Sequence, residues 1–110
     1  MILPNASSAV IDPGKIRDYC LNFEHPRGKH KAKIFQEVLG ITKNDTQDLI
    51  HQIKRQIKSS ECIAGEADAY GQRYTVDVVI RKQYLEAVVR TAWIIKTNEN
   101  IPRLTTCYVL

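Results

Sequence analysis

The sequence predicts an α+β domain, with N-terminal helices packed on one face of a four-stranded antiparallel β-meander. Two observations predict it. Apolar residues recur at helical spacing up to Ser59-Ser60 and alternate at strand spacing after it. The alternating segments are joined by short stretches of turn chemistry, too brief for a crossover, so consecutive strands must run antiparallel. Helices first and a meander second is the α+β pattern. With 110 residues, 44% hydrophobic and 25% charged, the chain is expected to form a single domain over residues 1–110.

Taken in order, Leu3 to Ile11 reads as an extended lead-in, with Ala9-Val10-Ile11 a short strand or a segment laid against the core. Asp12-Pro13 starts a helix, Asp as N-cap and Pro at the first position, running to about Leu21 with Ile16, Tyr19 and Cys20 inward. A loop over Asn22 to Arg27 leads to a second helix from Gly28 to Leu39, closed by Gly40. Its apolar residues Ala32, Ile34, Phe35, Val38 and Leu39 share one arc. Lys31 projects into the middle of that arc, where its ammonium either snorkels to water or reaches a cleft at the edge of the core. A third helix, capped by Thr42 or Asp45, carries the stripe Leu49, Ile50, Ile53 and Ile57 as far as Lys58. His51 lies opposite that stripe, and Lys54, Arg55 and Lys58 make a solvated basic face.

Cys62 to Ala69 reads as the first strand and Tyr70-Gly71-Gln72 as a tight turn. Arg73 to Arg81 alternates, with Tyr74, Val76, Val78 and Ile80 on one face. Tyr84 to Lys96 is a long strand whose inner face carries Leu85, Ala87, Val89, Thr91, Trp93 and Ile95. Thr97 to Asn100 turns the chain, and Pro102 to Val109 is the last strand. Trp93 is expected to be buried under the helices. Arg90 and Thr91 are polar interruptions in an otherwise apolar strand.

Sixteen Lys+Arg against twelve Asp+Glu give +4, which favours an anionic partner. No apolar run approaches a membrane span and the opening residues have no signal-peptide layout, so the expectation is a cytoplasmic protein, or a module that begins here in a longer parent, with no membrane partner. Cys20, Cys62 and Cys107 are far apart and read as free, buried thiols. His25 and His30, with a Pro and a Gly between them, lack a familiar metal-ligand spacing. No metal or cofactor is expected.

The segment His25-Pro26-Arg27-Gly28-Lys29-His30-Lys31-Ala32, together with Leu3-Pro4-Asn5-Ala6, Lys15 to Asn22, Thr91 to Ile95 and Ile101 to Tyr108, resembles a family of small uncharacterised bacterial proteins and domains. These are similar to the C-terminal domains of bacterial polymorphic toxins and of mobile-element proteins. In layout alone the chain is also similar to the ribonuclease superfamily of barnase, EndoU, colicin-type tRNases and RelE. That likeness implies a metal-independent ribonuclease-like toxin domain with His25, His30, Lys31 and Tyr108 as catalytic candidates. Arg27, Lys33, Arg90 and Thr106 would bind substrate. His30 would be base or acid, with His25 or Tyr108 its partner, and Lys31, Arg27 and Arg90 would hold the phosphate. RNA and a cognate immunity protein or antitoxin are the implied partners. The alternative is a non-catalytic interaction domain of the immunity or adaptor type, in which the His-Pro-x-Gly segment is a structural loop and His25 is buried against the core.

Overall fold

A computed structural model describes residues 1–110. Asp12 opens the helical half by accepting a hydrogen bond from the Gly14 amide at 2.9 Å, and Pro13 sits at the first helical position. Helix α1 (Pro13–Lys15) is only one turn long and widens into a π turn, Ile16–Cys20, closed by Leu21 N donating to Ile16 O at 2.8 Å. Ile16 and Cys20 are buried as expected, whereas Tyr19 is only half-buried. Helix α2 (Lys29–Leu39) ends at Gly40, whose φ of 65° is the left-handed conformation that suits glycine. It buries Ala32, Phe35 and Leu39. Ile34 and Val38, expected inward, are 42% and 41% exposed, so the buried arc is narrower than the sequence predicts.

Thr42 N donates to Asp45 Oδ2 at 2.9 Å and introduces a 3₁₀ turn, Lys43–Asp45. Helix α3 (Thr46–Ile57) follows. It buries Leu49, Ile50, Ile53 and Ile57 as expected, and leaves His51, Lys54 and Arg55 exposed. Lys82 Nζ donates to Gly40 O at 2.6 Å and Asp45 Oδ2 at 3.0 Å, which ties the α2–α3 connection to the sheet.

The sheet has the order β1-β2-β3-β4, all neighbours antiparallel: β1 (Cys62–Asp68), β2 (Gly71–Lys82), β3 (Leu85–Lys96) and β4 (Arg103–Val109). The first turn falls one residue earlier than expected, because Gly71 already pairs with Asp68 and Lys96. Tyr74, Val76, Val78 and Ile80 share the helix-covered face with Ala87, Val89, Thr91 and Trp93, in the register the alternation predicts. Leu85, at the start of β3, is exposed instead. The lead-in lies beside β4 through a parallel bridge from Val10 to Arg103, with Ala9 and Ile11 buried.

Helices α2 and α3 cover one face of the sheet, α2 against β3 and β4 and α3 against β2. Helices and strands share one core of 21 buried residues centred on Trp93 and Phe35. Thr91, the polar interruption, is fully buried for a clear reason. Its hydroxyl accepts from Trp93 Nε1 at 2.8 Å and donates to Val76 O at 2.7 Å, so the indole N–H is satisfied inside the core.

Beyond Val76, β1 no longer pairs with β2. Two glutamines of α3 take its place. The Gln52 amide accepts from Arg81 N at 2.9 Å and donates to Arg81 O at 2.7 Å. Gln56 does the same with Val79, accepting from its N at 2.9 Å and donating to its carbonyl. Four helical residues advance about 6 Å and two strand residues about 6.7 Å, so an i, i+4 pair on α3 matches an i, i+2 pair on β2. No helix is long and apolar enough to cross a membrane.

Candidate functional site

The loop before α2 is built by its own side chains. Asn22 Oδ1 accepts from Glu24 N at 3.0 Å, and His25 Nδ1 accepts from both Arg27 N and Gly28 N at 3.0 Å. Two donors aimed at Nδ1 place the neutral ring's hydrogen on Nε2. The His25 ring meets Tyr19 edge-on, with centroids 4.8 Å apart and planes at 74°. Gly28 is buried where the loop crosses the π turn. A Cβ there would lie 2.0 Å from the Tyr19 carbonyl oxygen, so no other residue fits without moving the backbone. The His-Pro-x-Gly run therefore clamps the start of α2 onto Tyr19.

Lys31 is half-buried and donates to Tyr19 Oη at 2.9 Å. Its Nζ is 4.9 Å from the Tyr19 ring centre, and the shorter polar contact at the hydroxyl decides its position. The ammonium thus neither sinks into the core nor ends in open water. The Lys31 residue lines a mostly apolar cleft of about 220 Å³ between α2 and β4, together with His30, Ile34, Tyr108 and Val109. Three of the four catalytic candidates, His30, Lys31 and Tyr108, meet there although they come from opposite ends of the chain.

The fourth, His25, is elsewhere. With Arg27 it lines a separate polar cleft of about 410 Å³, shared with Asp12, Gly14, Lys15, Asp18 and Tyr19. Arg90 lies on the sheet face away from the helices, opposite Tyr108 in the β3–β4 register. It is held by Asp77 through two hydrogen bonds of 2.8 and 2.9 Å. That pairing raises the Arg90 guanidinium further above its ordinary value, with Tyr108 adding to it, and holds the Asp77 carboxyl below its own. Thr106 approaches the π turn, with Oγ1 3.6 Å from Cys20 Sγ. Lys33 is exposed on α2. Arg27, Lys29, Lys31 and Lys33 all lack an acidic partner, whereas Arg73, Arg81, Arg90 and Arg103 in the sheet half are each paired with one.

Two contacts escape sequence reasoning. Tyr19 anchors Lys31 from twelve positions away across a loop, a spacing that carries no periodic signal. Cys20 and Cys107 adjoin one another, which only the packing of the π turn on β4 reveals. All three cysteines are free and buried, as expected. No group of three or more His, Cys, Asp or Glu side chains is gathered where it could hold a metal ion.

Fold and site together define a small α+β domain with a clamped helix start beside the last strand of its sheet. The chain belongs to the DUF6883 family, a domain of unknown function, which it matches over residues 2–110. No curated protein and no solved structure matches it.

Proposed function

We propose that the cleft between α2 and β4 binds RNA and cleaves it without metal, as a toxin domain of ribonuclease type would. The observation that carries this reading is the meeting of His30, Lys31 and Tyr108 in one cleft. His30 is exposed at the cleft wall and takes the proton of the 2′-hydroxyl or supplies one to the leaving oxygen. Tyr108 walls the same cleft, while its hydroxyl is drawn to Arg90 across the β3–β4 register. His25 is not the partner of His30, because both of the loop amides it accepts would have to be given up for Nδ1 to carry a proton. Lys31 uses one ammonium hydrogen on Tyr19 and keeps two for phosphate. Lys29, Lys33 and Arg27 extend the unpaired positive charge along the start of α2, and Ile34, Val109 and the Tyr108 ring give a base an apolar surface to stack on. Arg90, already neutralised by Asp77, orients Tyr108 more than it holds phosphate.

A binding role without catalysis has its own observation. From Ile63 to Asp68, β1 is exposed on both faces and has no neighbour on its outer edge. A cognate protein could add a strand there.

Expression in bacteria separates the readings. The wild type should arrest growth and fragment total RNA, and purified protein should cut an oligoribonucleotide in EDTA. His30→Ala should lower cleavage by about 10²–10⁴-fold without unfolding the chain. Intact RNA in cells producing folded wild-type protein would leave only the binding role.

A further inference from the structure

We propose that Cys20 and Cys107 are a reversible oxidation site, at which hydroperoxides convert two facing thiols into an intramolecular disulfide that ties the π turn to β4.

The geometry is specific. Cys20 ends the π turn and Cys107 lies in β4, next to Thr106, whose Oγ1 is 3.6 Å from Cys20 Sγ. The π turn packs against β4, and Cys20 and Cys107 are neighbours within one buried core. Both residues are at 0% exposure, so neither sulfur is in contact with bulk water. The neighbouring Cys107, with help from Thr106 and the nearby Lys31 ammonium, draws the Cys20 thiol below its ordinary value despite burial. Cys107, beside Cys20 and fully buried, is pushed well above its own. One sulfur is thus prepared as the nucleophile and the other as the resolving thiol. Cys62 lies at the start of β1, where burial raises its thiol, and serves as an internal control.

The step balances. The Cys20 thiolate attacks one oxygen of hydrogen peroxide, the O–O bond breaks, and the second oxygen leaves as hydroxide and takes up the thiol's proton as water. Cys20 is then a sulfenic acid. The Cys107 sulfur attacks it, an S–S bond forms, the S–O bond breaks, and the oxygen leaves as a second water with the proton from Cys107. Two electrons pass from the sulfur pair to one peroxide. Hydrogen peroxide is little larger than water, and a single π turn is the kind of local structure that opens ahead of the global fold. Large alkylating reagents lack that access.

The test uses the reduced full chain, exposed to hydrogen peroxide, then denatured and treated with N-ethylmaleimide. Wild type and Cys62→Ser should each lose the mass of two hydrogens, keep two cysteines from alkylation and yield a linked Cys20–Cys107 peptide. Dithiothreitol should restore all thiols. Cys20→Ser and Cys107→Ser should form no internal link. The wild-type peptide map decides the matter even if a serine variant folds poorly. Full alkylation of wild type under conditions that oxidise a free-thiol peptide in the same tube would overturn the proposal. So would oxygen added at Cys20 without a cross-link, or links that run through Cys62 or between molecules.

Discussion

Lys31 has three ammonium hydrogens and the fold uses one of them, on the Tyr19 hydroxyl. Replacing Lys31 by Met keeps the stem and leaves a half-buried hydroxyl that water can reach, so stability should change by no more than about 1 kcal/mol. Oligoribonucleotide affinity should collapse, and the salt dependence of binding should fall by about one phosphate contact. Anisotropy titrations at two salt concentrations measure both; equal affinities and slopes would mean that Lys31 serves only Tyr19. His25 permits a sharper comparison. An Asn side-chain oxygen can accept from amides two and three positions on, as His25 Nδ1 does, whereas Ala cannot. His25→Ala should cost about 1–2 kcal/mol in urea unfolding, and His25→Asn should recover most of it. Equal losses would show that the ring's contact with Tyr19, and not the paired amides, is what His25 supplies. Pro26 and Gly28 were readable as a loop and a helix start, because their backbone preferences are local. That Gly28 has no room for a side chain was not, since the Tyr19 carbonyl that fills the space belongs to another element. For the same reason Thr91 looked out of place until the Trp93 indole was seen to need it.

Among the elements, the junction of α2, α3 and β2 depends on Asp45 and Lys82. Burial alone would push the Asp45 carboxyl up, but the Thr42 amide and the Lys82 ammonium outweigh it and hold the group below its ordinary value. A carboxylate depressed on folding stabilises the protein above its unfolded value, and that contribution is lost as the pH falls through the folded value. Wild type should therefore lose stability as the pH drops below about 4, and Asp45→Asn should be weaker near neutrality but flatter across that acid range. Thermal melts over that pH interval test it; parallel curves would remove Asp45 from the account. The elements themselves were largely legible. Alternation from Arg73 to Arg81 and from Ala87 to Trp93 placed the inner face correctly, because a strand's period of two survives any packing partner. The ends of β3 depart from it, with Leu85 exposed and Ile94 buried. The inner arc of α2 was read too wide. Periodicity states which residues share a side of a helix but not how far the neighbouring sheet extends, and Ile34 and Val38 fall beyond it.

For the whole molecule, the net charge of +4 conceals an uneven distribution. The arginines of the sheet are paired with acids, while the cations at the start of α2 are not. An anionic chain approaching this protein would meet unpaired cations at the start of α2 and along the exposed face of α3 rather than on the sheet arginines. Layout suggested one cluster of His25, His30, Lys31, Arg90, Thr106 and Tyr108. His30, Lys31 and Tyr108 line one cleft, Arg90 and Thr106 do not, and His25 is held apart by loop hydrogen bonds that no spacing reveals. The Gln52–Gln56 pair has a consequence at this scale too. Side chains there complete a ladder that backbone would otherwise complete, so α3 acts as a stopper on a half-open zipper. With the stopper in place, the Val79–Arg81 stretch of β2 cannot recruit a strand from another molecule. Gln52→Ala with Gln56→Ala would leave two amides and two carbonyls in a row without partners. The double variant should become prone to concentration-dependent association in light scattering, while wild type stays unchanged over the same range. A monodisperse double variant would mean that water can close that edge as well as glutamine does. If it associates, the helix face that holds the core together on one side also sets, on the other, where this sheet stops being able to grow.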